Sequence, residues 1–129
     1  RYDQAVKWIE DNSVIRNGDR PAVFVTTQSE LKRVAKVAPG LRVAAAYFPW
    51  IHAIAFARDF NPDSIKDRGI AIHEIVHAMR RFMVFECKEA REKEAYFMQE
   101  LFYIKNGTSI LIEIGLTFSQ VQKLTECDQ

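Results

Sequence analysis

Residues 70–81 read Ile70-Ala71-Ile72-His73-Glu74-Ile75-Val76-His77-Ala78-Met79-Arg80-Arg81. Apolar residues at 72, 75, 76 and 79 recur at the helical period. The segment also follows the turn signal Phe60-Asn61-Pro62-Asp63-Ser64, so it reads as part of a long helix from Ile65 or Asp67 through Phe85. On a helix, His73 and His77 stand one turn apart on one face, where their ring nitrogens can converge on a single divalent ion. Glu74 lies beside that face, badly placed to be a ligand but able to reach a water on the ion, which is the position of a general base. Ile72, Ile75, Val76 and Met79 supply an apolar side that buries the helix independently of the imidazoles. The bland alternative is a pair of surface or helix-pairing histidines.

A catalytic zinc takes three protein ligands and keeps one position open. The chain has three histidines and none lies downstream of His77, so the third ligand is sought among Glu86, Glu89, Glu92, Glu94 and Glu100. Counting along the apolar series Ala90, Phe97, Met98, Leu101 and Ile104 places Glu94 on the inner line of the next helix. The same count turns Glu89 and Glu92 outward, toward Lys93 and Lys88. A charge facing the core must be paired or bound to metal. Glu94 is therefore the expected third ligand, with Glu100 and His52 in reserve.

His73-Glu74-x-x-His77 with Glu94 on the following helix resembles the zincin metallopeptidases of the glutamate-ligand type, over the stretch from Ile70 to Tyr103. The resemblance implies zinc held by His73, His77 and Glu94, with Glu74 activating water for peptide-bond hydrolysis. It also implies an active-site helix under a sheet whose edge strand, Val43–Phe48 or Ile51–Ala57, pairs with an extended peptide. Tyr103, Tyr96, Tyr47, His52 and Arg80 have the chemistry for an oxyanion donor or a substrate contact. A small free-standing domain of this kind is similar to those at the ends of bacterial secreted toxins and effectors. That likeness implies a protein substrate, an inhibitor or immunity protein as partner, and secretion as part of a larger protein.

Outside this stretch the chain reads as a sequence of short elements. Ala5, Val6, Trp8 and Ile9 mark a helix over Tyr2–Asp11, and Ala22–Val25 a strand. Thr27 with Glu30 is a capping-box pattern for a helix carrying Leu31, Val34 and Val37 up to Pro39-Gly40. Val43–Phe48 and Ile51–Ala57 read as strands on their β-branched and aromatic content. After a break near Glu86, Asn106-Gly107 stops the helix whose inner stripe begins with Ala90, Ile110–Ile114 has no clear type, and Leu116–Leu124 is a terminal helix capped by Thr117 or Ser119.

With 129 residues, 48% hydrophobic and 27% charged, the chain has the composition of one domain over residues 1–129. Such a core needs neither disulfide nor metal merely to stay folded. A formal charge of +1 argues against nucleic acid and anionic membranes as partners. The longest apolar stretch, Leu41–Ala57, is broken by Arg42, Pro49 and His52, so no membrane span is expected. Cys87 and Cys127 match no zinc or redox spacing and are read either as one disulfide or as two free thiols. The expectation is a compact α+β zinc metallopeptidase, a zincin-like domain with a small sheet on an active-site helix followed by a ligand-bearing helix. Its rivals are a non-catalytic, metal-stabilised protein-binding module and a metal-free helical interaction module.

Overall fold

The hydroxyl of Ser64 accepts a hydrogen bond from the N–H of Asp67, and this cap starts helix α3 (Ile65–Met79) where the Asn61-Pro62-Asp63 turn leaves off. Asp67 itself is buried and fastens the helix to the rest of the chain. Its two oxygens accept from both terminal nitrogens of Arg42 at 2.9 Å, and one also takes the N–H of Asn61. Burial works against the Asp67 charge, but the Arg42 guanidinium outweighs it and holds the carboxyl below its ordinary range. The structure, a computed structural model, describes residues 2–35 and 40–128.

In chain order the elements are α1 (Tyr2–Asn12), β1 (Ala22–Thr26), α2 (Gln28–Val34), β2 (Ala45–Phe48), β3 (Ala53–Ala57), α3, α4 (Lys88–Lys105), α5 (Ile110–Ile114) and α6 (Phe118–Thr125). About 54% of the described residues are helical, so the class is α+β, as expected. The sheet order is β1-β3-β2, with β1 parallel to β3 and β2 antiparallel to it, Tyr47 standing opposite Ile54. Period-two alternation divides the strands between two cores. Tyr47 and Ile54 join α1, α3, α4 and α5 on one face, while Ala46, Phe48, Ala55 and Ala57 pack with Leu31 of α2 on the other.

Several expectations change. Helix α3 stops at Met79 rather than Phe85, and Phe82, Met83 and Val84 are exposed, so the apolar run there is not a continuing core stripe. The shorter helix leaves room for a connection that lets α4 fold back against α3. Pro49–Ile51 forms one 3-10 turn and the last strand begins only at Ala53. This strand, β3, lies in the middle of the sheet and offers no edge; β2 is the edge on the α3 side. Helix α2 ends at Val34, and the expected continuation through Val37 to Pro39 lies outside the described residues.

Helix α4 begins at Lys88, just after the break expected near Glu86, and Cys87 caps it: the Cys87 sulfur accepts from the N–H of Ala90. Cys87 is also bonded to Cys127, which ties the start of α4 to the end of α6 and settles the pairing left open by sequence. Thr117 and Gln120 form a reciprocal capping box at the start of α6. No helix among the described residues is long and apolar enough to cross a membrane.

Candidate metal centre

Helix α3 carries His73 and His77 on the side that meets the first turns of α4, and both are largely buried. Nε2 of His73 and Nε2 of His77 approach the carboxylate of Glu92, at 2.9 and 3.1 Å from its Oε1. The three side chains form a group whose potential ligand atoms all lie within 4.8 Å of one another, so His73, His77 and Glu92 can hold a metal ion.

Glu94, the expected ligand, does not reach the histidines. Its carboxylate is gripped in bidentate fashion by Arg80, Nε to Oε1 at 2.9 Å and Nη2 to Oε2 at 2.7 Å. The error is one of helix rotation. Phe97 and Ile104 set the expected inner line, yet they are 64% and 59% exposed. The residues of α4 that are buried are Ala95, Met98, Gln99, Phe102 and Tyr103, and that line runs back one turn from Ala95 to Glu92. A glutamine in the middle of an otherwise apolar line was the signal available in the sequence. Glu92 therefore faces inward, not toward Lys88 or Lys93.

The reserve ligands are also committed elsewhere. Oε1 of Glu100 accepts the N–H of Ile110 at the start of α5. His52 sits at φ 45°, in the left-handed region, after the 3-10 turn, with Nδ1 against the Tyr47 hydroxyl at 2.8 Å and Nε2 against the Asp19 carbonyl at 2.7 Å. A carbonyl only accepts, so Nε2 of His52 donates to it and the Tyr47 hydroxyl donates to Nδ1. Thus Tyr47 and His52 satisfy one another, and Arg80 is spent on Glu94. Tyr103 donates to the carbonyl of Lys66 at 2.8 Å and receives the amide of Gln99 at 3.2 Å.

Of the five candidate oxyanion or substrate groups, Tyr96 remains. Its ring stands edge-on to His73 with centroids 4.5 Å apart, and among the described residues its hydroxyl has no hydrogen-bond partner. Burial, with the negative charges of Glu92 and Glu74 behind it, pushes the Tyr96 phenol up to about 12. The group is a proton donor throughout the neutral range.

Glu74 is held from the sheet. Its Oε1 accepts the backbone N–H of Tyr47 on β2 at 2.8 Å, while its Oε2 lies 3.8 Å from Nε2 of His73. One oxygen is thereby fixed and the other turned toward the cluster. Burial disfavours a charged His73, but its hydrogen bond to Glu92 and the charges of Glu74 and Glu92 outweigh it and raise the imidazole above its ordinary value. Burial likewise works against the Glu92 charge, and the two histidines overcome it, holding the carboxyl well below the carboxylate range.

His73 thus has an acceptor at each ring nitrogen, Gln99 Oε1 at Nδ1 and Glu92 Oε1 at Nε2. Such a surrounding suits either an imidazolium or a neutral ring whose Nε2 lone pair meets a cation beside the carboxylate. The donor set of two imidazoles and one carboxylate is the kind that divalent transition ions take. No curated protein matches the chain, and no solved structure does. A family model described as a domain of unknown function, DUF6647, matches residues 3–129, and the chain belongs to that family.

Proposed function

We propose that the chain is a zinc-dependent hydrolase of peptide bonds in which His73, His77 and Glu92 hold the ion and Glu74 is the general base. The observation that carries this reading is the placement of Glu74: a carboxylate anchored by the Tyr47 N–H, with its free oxygen beside a two-histidine, one-carboxylate cluster. Two imidazoles and a carboxylate fit zinc with one position left open. When bound, zinc supplies Lewis acidity toward a carbonyl oxygen and lowers the pKa of water at the site.

The protein's own groups supply the rest. Glu74 takes the proton from the attacking water and delivers it to the leaving amine nitrogen, and the Tyr47 N–H keeps its carboxylate aimed while it does so. The free Tyr96 hydroxyl, one helical turn from Glu92, is the donor available to a developing oxyanion. The outer side of β2 adjoins Glu74, which favours a substrate in extended form lying along that edge.

The test is Glu74→Gln, analysed together with the parent protein for bound metal by elemental mass spectrometry and for cleavage of a quenched-fluorescent peptide library. The expected result is about one zinc per chain in both and cleavage only in the parent. Zinc retained in both with no cleavage by the parent favours the non-catalytic, metal-stabilised binding module. A parent that takes up no zinc on titration overturns the metal reading.

A further inference from the structure

Along α4, Glu92, Tyr96, Gln99 and Tyr103 follow one another at helical spacing on the side that faces α3. Glu92 and Tyr96 meet the histidines directly. Gln99 lies one layer further in, 2% exposed, with its Oε1 2.8 Å from Nδ1 of His73 and its Nε2 3.2 Å from the Tyr103 hydroxyl. Tyr103 in turn lies 2.8 Å from the carbonyl of Lys66, in the first turn of α3.

The direction of each proton in this chain follows from its far end. The Lys66 carbonyl has no hydrogen, so the single hydroxyl proton of Tyr103 goes to it. The Tyr103 oxygen is then left as an acceptor, and the group of Gln99 that faces it is the amide NH2. The amide oxygen therefore faces His73, and because it can only accept, Nδ1 of His73 carries a proton. A neutral His73 must then present its lone pair at Nε2, toward Glu92 and His77. A backbone carbonyl of α3 thus sets, through two side chains of α4, which nitrogen of a histidine on α3 is free.

We propose that Gln99, oriented by Tyr103, is a positioning residue that holds His73 as its Nδ1–H tautomer and keeps Nε2 open for the metal. The inference rests on the metal-site reading above. A ligating imidazole whose other nitrogen is fixed by an outer acceptor is ordinary in metal sites, and loss of that partner lowers metal affinity by roughly 10- to 100-fold. The glycine at position 69 belongs to the same arrangement, since a Cβ there would clash with the hydroxyl edge of the Tyr103 ring. Without that close approach the hydroxyl of Tyr103 would not lie between Gln99 and Lys66.

The test uses the full chain, labelled with nitrogen-15 in its histidines, as parent, Gln99→Leu, Gln99→Glu and Tyr103→Phe. Two quantities are read: the His73 tautomer from its ring nitrogen shifts, and zinc affinity by competition with a chromophoric chelator. The parent is expected to show Nδ1–H at His73. Gln99→Leu removes the acceptor, so it should weaken zinc roughly 10- to 100-fold and mix the tautomers, with some loss of melting temperature in the metal-free protein because the buried Nδ1–H of His73 loses its partner. Gln99→Glu restores an acceptor and should hold both the tautomer and the affinity within a few-fold of the parent. Tyr103→Phe frees the amide to turn over and should give an intermediate loss, and it serves as the reporter if Gln99→Leu fails to fold. Parent-like affinity and tautomer in both Gln99→Leu and Tyr103→Phe would overturn the positioning role while leaving zinc binding intact. A parent that binds no zinc would instead overturn the metal reading on which the role depends.

Discussion

Arg80 holds Glu94 through two parallel hydrogen bonds at 2.9 and 2.7 Å, joining the residue that ends α3 to the second turn of α4. This pairing occupies the carboxylate that sequence periodicity assigned to the metal and leaves Glu92, one layer away around the helix, against both histidines. The two glutamates therefore respond differently to removal. Glu92→Ala should weaken zinc beyond the roughly 10- to 100-fold typical of an outer partner, whereas Glu94→Ala should fall within that range or below it. Competition titration of the two variants against one chelator checks the order, and equal losses would contradict it.

Protons and metal compete for the same nitrogens. With its folded value raised, metal-free His73 contributes stability that is complete below its ordinary value of 6.5 and is lost as pH rises through the higher folded value. Zinc needs the deprotonated ring and so binds better as pH rises. The increase in Tm caused by saturating zinc should therefore grow between about pH 6 and about pH 8. Calorimetric scans with and without zinc at the two pH values measure it, and a shift that shrinks with pH would speak against His73 as a ligand.

Gly69 stands inside α3, where alanine would ordinarily be better by about 1 kcal/mol. Here the Tyr103 ring lies on the space a Cβ would take. Gly69→Ala should therefore destabilise by about 1–3 kcal/mol, the usual result of overpacking a filled site. Urea unfolding measures the loss. A neutral or stabilised variant would mean that α3 and α4 separate without cost.

The Cys87–Cys127 bond closes a loop of sequence separation 40 and pins the cap of α4 to the end of α6. Replacing both cysteines by serine should cost about 2–4 kcal/mol of stability. Zinc affinity should change less than in Glu92→Ala, because Glu92 lies beyond the first turn of α4 and is held by α3 as well. Thermal melts of the parent in reductant and of the double variant should agree, and a parent insensitive to reductant would contradict the structural role of the bond.

The apolar spacing of 72, 75, 76 and 79 together with the turn signal over 60–64 was enough to place His73, Glu74 and His77 on one helix, because those relations lie within a few residues along the chain. The α+β class, a cap at Thr117 or Ser119 and the strand on the α3 side were legible for the same reason: local propensity and turn chemistry act over short distances, and the structure selects Thr117. The face of α4 was not. Phe97 and Ile104 are as apolar as core residues but lie outside, so composition pointed to the wrong line.

Local sequence determined the two histidines, Glu74 beside them and the helix that spaces them, since helix geometry alone converts an interval of four into a shared face. The carboxylate that meets the two histidines, the anchoring of Glu74 by β2 and the amide oxygen set against Nδ1 of His73 were decided only by tertiary structure. Each depends on how α4 and the sheet are turned against α3, and that rotation is set by contacts between residues distant in the chain: Arg80 with Glu94, Tyr103 on Gly69, and Tyr47 against Glu74.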